Sequence, residues 1–151
     1  SEEEIYMNTT FIYSSLTGNT RKVAKVMAQE LGVEMRRPGE LTDLDGVDLL
    51  FLGSGVYVNR PARSLRRFLS KLSSFAGIKV ALFGTYGFRP NQLDWLAKCV
   101  GKKGGEVLGR FSCKGRSWDT LGLIGRGHPS VPELETAAAF ARQIRVRAEK
   151  P

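Results

Sequence analysis

The stretch FIYSSLTGNTRKVAKVMAQELG, Phe11 to Gly32, runs from an apolar segment through a polar turn into a helical pattern. Thr9 to Tyr13 is β-branched or aromatic throughout and reads as a buried strand. From Lys22 to Leu31, Val23, Val26, Met27 and Leu31 recur at spacings of three and four, one face of a helix. Between them stand Ser14, Ser15, Leu16, Thr17, Gly18, Asn19 and Thr20, which supply five hydroxyl or amide side chains and a glycine. A helix start presents N–H groups with no partner inside the helix, and its peptide dipoles make that end electropositive. A turn of this composition suits an anion such as a phosphate. Ser, Thr and Asn also serve as ordinary N-caps, but one or two residues suffice for that. Ser15, Thr17, Asn19 and Thr20 would add side-chain donors, while Gly18 allows close approach of the backbone. The turn lacks the Gly-Lys-Ser/Thr of a P-loop and the three glycines of the dinucleotide fingerprint.

Outward from this stretch the strand-then-helix cycle repeats. Val33 to Arg36 reads as a short second strand, and Asp48 to Gly53 is an apolar run suited to burial on both faces. From Pro61 a helical stripe carries Leu65, Phe68, Leu69 and Leu72. Ile78 to Gly84 is strand-like, Pro90 opens a helix lined by Leu93, Leu96, Ala97 and Val100, and Gly104-Gly105 ends it. Glu106 to Cys113 forms another strand, and Pro132 starts a last helix carrying Leu134, Ala137, Ala138, Ala141, Ile144 and Ala148. The succession β-α-β-β-α-β-α-β-α is weakest around residues 38–46. It implies an α/β fold with a parallel sheet covered by helices on both faces. In such sheets ligands bind beyond the carboxyl ends of the strands, where strand order reverses. The loops Ser14–Thr20, Ser54–Arg60 and Thr85–Arg89 each follow a strand, so all three are expected at one edge.

At these residues a resemblance is evident. SSLTGNT after a strand is similar to the phosphate loop of flavodoxins, Ser/Thr-x-Thr-Gly-x-Thr, and Ser15, Thr17, Gly18, Asn19 and Thr20 match it position by position. GSGVY, Gly53 to Tyr57, resembles the loop that sets a side chain against the flavin ring. GTYGF, Gly84 to Phe88, resembles the loop along the ring's other side. The segment from Phe111 to Ala141 resembles the last strand, loop and helix of a group of small flavodoxin-family proteins, so the similarity spans nearly the whole chain. It implies a flavodoxin-like three-layer sandwich with a five-stranded parallel sheet in the order 2-1-3-4-5. The implied cofactor is FMN, with its phosphate at Ser15, Leu16, Thr17, Gly18, Asn19 and Thr20. The ring would meet Ser54, Gly55, Val56 and Tyr57 on one side and Thr85, Tyr86, Gly87 and Phe88 on the other. Tyr57 and either Tyr86 or Phe88 would stack on it. Backbone groups of Ser54, Gly55, Thr85 and Gly87 would bond its polar edge, with the Tyr86-Gly87 peptide answering protonation of the ring.

The charge departs from the family pattern. Carriers of this family are typically acidic around the flavin, whereas this chain of 151 residues has a formal net charge of +8. Arg60, Arg63, Arg67 and Lys71 fall at spacings of three, four and four, a basic stripe expected on one helix opposite its apolar face, and Arg89 adds a charge at the third loop. An acidic redox protein is therefore the expected partner, with association weakened by salt. Nucleic acid is not expected, because no recognised motif or interleaving of cations with aromatics is present. His128 is read as fixing its loop, and Trp95 and Trp118 as packing residues.

The remaining features narrow the class. One domain is expected over residues 1–151, with 1–7 a flexible tail. No apolar run is long enough for a membrane-spanning helix, and none reads as a secretory signal. Cys99 and Cys113 lack CxxC spacing, which fits reduced thiols and a cytoplasmic protein. Together with a single histidine they assemble no familiar zinc set, and neither has neighbours that would activate a thiolate. The expected function is electron transfer between protein partners. An FMN-dependent NAD(P)H reductase of quinones or other small acceptors is the alternative, and a non-redox binding module is a third reading.

Overall fold

The computed structural model describes residues 7–15, 18–41, 43–55, 60–86, 91–114 and 129–150. Strand β1 (Thr9–Ser14) leads into helix α1 (Asn19–Leu31), followed by β2 (Met35–Arg36) and a 3-10 turn at Pro38–Glu40. Then come β3 (Leu49–Gly55), α2 (Arg63–Lys71), β4 (Lys79–Tyr86), α3 (Asn91–Lys102), β5 (Glu106–Lys114) and α4 (Val131–Glu149). The five strands form one parallel sheet in the order β2-β1-β3-β4-β5, as expected.

Side-chain alternation along the strands builds two cores. Phe11, Tyr13, Leu49, Phe51, Ala81 and Phe83 face α1 and α4, while Ile12, Leu50, Leu52, Val80 and Leu82 face α2 and α3. Every residue of β3 is buried, which is why its sequence reads as an unbroken apolar run. Phe11 and Phe51 stack with centroids 4.3 Å apart and planes at 7°, and the Phe83 ring tilts against Phe11. Ring pairs of this kind contribute about 0.5–1.5 kcal/mol beyond their area. The ring of Phe83 also occupies the space above Gly53, where a Cβ would lie 2.2 Å from it. Trp95 packs partly buried against the α2/α3 core. Met7 packs against the other, so it belongs to the fold rather than to the expected tail.

Several boundaries differ from the sequence expectation. The second strand is Met35–Arg36 rather than beginning at Val33, because the Val33 N–H closes the end of α1 on the Ala28 carbonyl. Strands β3 and β4 run on to Gly55 and Tyr86, since the parallel ladder continues through Ser54–Gly84 and Gly55–Thr85. Helix α1 begins at Asn19, three residues before the apolar stripe shows itself. Helix α2 begins at Arg63 because Ala62 is extended and its N–H is taken by the Ser54 hydroxyl. Arg60 therefore lies ahead of the helix and is no part of a helical stripe. Arg63, Arg67 and Lys71 do lie on the exposed face of α2.

Candidate functional site

Ser14, Ser54, Gly84 and Ser112 stand side by side in register, so four neighbouring strands end level at one edge. The order reverses between β1 and β3, and the helices following both strands start at this edge. This is the crevice position of parallel α/β sheets. Of the expected site residues, the structure brings Ser15, Gly18, Asn19, Thr20, Ser54, Gly55, Thr85 and Tyr86 to that edge. Leu16, Thr17, Val56, Tyr57, Gly87 and Phe88 lie outside the described residues, as do Arg89, Trp118 and His128.

The polar turn is shaped by its own side chains. Gly18 is the N-cap of α1 at φ 87°, a left-handed conformation that favours glycine. Its N–H donates to the Ser15 hydroxyl oxygen at 3.1 Å. As a glycine the N-cap has no side chain of its own to close the first turn of α1, and no acidic residue stands in that turn. The positive end of a helix, begun by glycine and with no carboxylate in its first turn, suits an anion such as a phosphate. The fit comes largely from backbone. The Thr20 side chain, expected to reach the anion, turns inward instead and shares a hydrogen bond of 2.8 Å with the Thr85 hydroxyl. Thr20 is 1% exposed. Its hydroxyl thus joins α1 to the end of β4.

Ser54 and Thr85 have similar joining roles. The buried Ser54 hydroxyl donates to the Gly55 carbonyl at 2.8 Å and accepts from the Ala62 N–H at 2.9 Å, pinning the start of α2 to the end of β3. Its side chain is consequently spent inside the protein. A second pin joins the Ser14 and Ser64 hydroxyls at 2.9 Å, β1 to the first turn of α2. Tyr86, half-buried at the last position of β4, is the described aromatic at the site edge.

One residue escaped sequence reasoning. Gln92, in the first turn of α3, is fully buried, and its Nε2 donates to the Ser54 carbonyl at 3.0 Å and the Thr85 carbonyl at 3.2 Å. A single glutamine near a helix start carries no signal of such a role. The sequence Ser130-Val131-Pro132-Glu133 does carry a signal, Ser followed three residues later by Glu. It forms a full capping box at the start of α4.

Charge around the edge is positive. Arg21, Lys22, Arg60, Arg63 and Lys114 are exposed there and make no ion pair among the described residues. Asp94 at the same edge is held by Arg110 at 2.6 Å. The thiols are inert: burial, aided by Glu133, pushes Cys113 up to about 12, and burial also raises Cys99. Among the described residues no His, Cys, Asp or Glu cluster could hold a metal ion, and no helix is long and apolar enough to cross a membrane.

Comparison with known proteins agrees with this geometry. Residues 10–122 match the family described as the flavodoxin domain. An uncharacterized protein of Methanocaldococcus jannaschii is 30% identical over 150 residues, covering 91% of this chain and 98% of that one. The flavodoxin-like domain-containing protein BilS of Clostridioides difficile is 26% identical over 177 residues, covering 94% and 98%. The crystal structure of oxidised flavodoxin 2 from Bacillus cereus superposes with a TM-score of 0.75 at 18% identity, covering 93% and 99%, a likeness of fold. With its phosphate-loop pattern, its 2-1-3-4-5 sheet and a family match over most of its length, this chain belongs to the flavodoxin family.

Proposed function

We propose that this protein binds FMN at the carboxyl edge of the sheet and carries electrons between redox partners. The observation that carries the reading is the first turn of α1: begun by glycine, free of acid, and level with the ends of β1, β3 and β4. Its N–H groups with Gly18 and Ser15 would hold the phosphate. The ends of β3 and β4, with Tyr86 and the expected partners Tyr57 and Phe88, would hold the ring. Bound FMN supplies one- or two-electron transfer, while the chain orients it and sets the field around it.

The exposed cations of the edge, without ion pairs among the described residues, support an acidic protein partner. They stand where an approaching partner would come nearest the ring, and opposite charge there accelerates encounter. Two free cysteines fit a reducing compartment such as the cytoplasm. Titration of the flavin-free protein with FMN tests the core of the proposal, and saturable quenching of flavin fluorescence is expected. Absence of binding overturns it. Steady-state oxidation of NAD(P)H by the FMN-loaded protein, without a protein partner, would replace the carrier reading with the reductase one.

A further inference from the structure

We propose that Gln92 is a positioning residue for the flavin: its amide holds the ends of β3 and β4, the strands that lead to the ring, at a fixed separation. This rests on the FMN reading. Both hydrogens of Nε2 are committed, one to the Ser54 carbonyl and one to the Thr85 carbonyl. Those carbonyls belong to the two strands whose following loops would hold opposite sides of the ring. The space between them is reserved for this amide. A Cβ at Gly84 would lie 2.5 Å from Gln92 Nε2 and 2.6 Å from the Ser54 carbonyl oxygen.

Packing alone does not account for the residue. Gln92 Oε1 is buried and has no hydrogen-bond partner among the described residues. An unmatched buried acceptor is destabilising, and an apolar side chain of similar length would avoid it. What the amide adds is the pair of donations. The Ser54 hydroxyl bonds the start of α2 and the Thr85 hydroxyl bonds α1. Gln92, on α3, closes the set, so the N-terminal ends of three helices are keyed to two strand ends.

The test is Gln92→Met compared with Val100→Ala, a buried change two turns along the same helix. Gln92→Met is expected to lower affinity for FMN and for riboflavin each by at least tenfold, with their ratio unchanged within twofold, because the ring and not the phosphate loses its holder. Val100→Ala should bind both within twofold of the unaltered protein at a similar loss of melting temperature. In the flavin-free protein, Gln92→Met should also speed amide exchange at Gly55 and Tyr86 at least tenfold, with Phe51 and Leu82 unchanged. Unaltered affinities and exchange in Gln92→Met, or an equal loss of flavin in Val100→Ala, would overturn the proposal. If the unaltered protein binds neither flavin, the functional reading falls, and the exchange comparison still decides whether Gln92 holds the strand ends. Should Gln92→Met not fold, Gln92→Glu serves. A neutral carboxyl there can donate to one carbonyl and an ionised one to neither, so riboflavin affinity should fall between pH 5 and pH 8 relative to the unaltered protein. A flat profile would refute the inference.

Discussion

Helices α1 and α4 pack side by side on one face of the sheet and begin at the same edge, yet their first turns are built in opposite ways. At α4 the Ser130 hydroxyl accepts from the Glu133 N–H, and the Glu133 carboxylate accepts from the Ser130 N–H at 3.0 Å and from its hydroxyl at 2.9 Å. That end is closed and carries its own negative charge. At α1 the N-cap is Gly18, which has no side chain of its own to close the turn, and the position equivalent to Glu133 is Arg21. A capping box supplies its helix start with its own anion, whereas an acid-free start begun by glycine suits an anion from outside.

Transplanting the closed pattern should break the comparison most sharply. Arg21→Glu puts a carboxylate where the phosphate is proposed to bind and should weaken FMN about 100-fold, about 2.7 kcal/mol, while leaving the melting temperature nearly unchanged. Fluorescence titration checks it, and undiminished affinity would show that this turn is not the anion site. Next in size is Gly84→Ala, which has no room beside the Ser54 carbonyl. It should destabilise the protein by about 1–3 kcal/mol in urea unfolding. Ser130→Ala is the reciprocal of the first change: a loss of about 1 kcal/mol in stability with FMN affinity intact.

Smaller effects concern the field. Compared with an acidic flavodoxin, the reduced anionic flavin should be stabilised here, and the lower couple should be less negative. Each cation contributes at most about 40 mV, less where solvent screens it. Arg63→Glu with Arg67→Glu should shift the couple downward and reduce the salt dependence of association with an acidic partner. Potentiometry that shows no downward shift would remove these residues from the flavin's field. The smallest effect is at Cys113, whose folded value is raised to about 12. Its contribution to stability is fully present below the unfolded thiol value near 9 and is lost as pH rises toward 12. Cys113→Ala should flatten that alkaline decline, as followed by urea unfolding at pH 8 and 10.

Much of the site was legible because its signals are local. SSLTGNT joins strand to helix within seven residues, and the helix-start chemistry depends only on neighbours in sequence. The apolar run of β3 and the stripes of α2 and α3 were visible for the same reason. Less legible were the inward turn of Thr20, the commitment of the Ser54 hydroxyl to Ala62, and the pairing of Ser14 with Ser64. Each of these depends on a partner that only folding brings near. Gln92 is the extreme case, since its two acceptors lie 38 and seven residues away.

Read alone, the chain already determined the alternation of strands and helices, the parallel sheet and the edge where its polar turns gather, because periodicity and turn composition are short-range properties. Only the tertiary structure decided which polar groups face outward and which lock the edge together. A hydroxyl or amide commits its hydrogen bonds to whatever the packed helices and strand ends place within about 3 Å, and that choice is made across the sheet rather than along the chain.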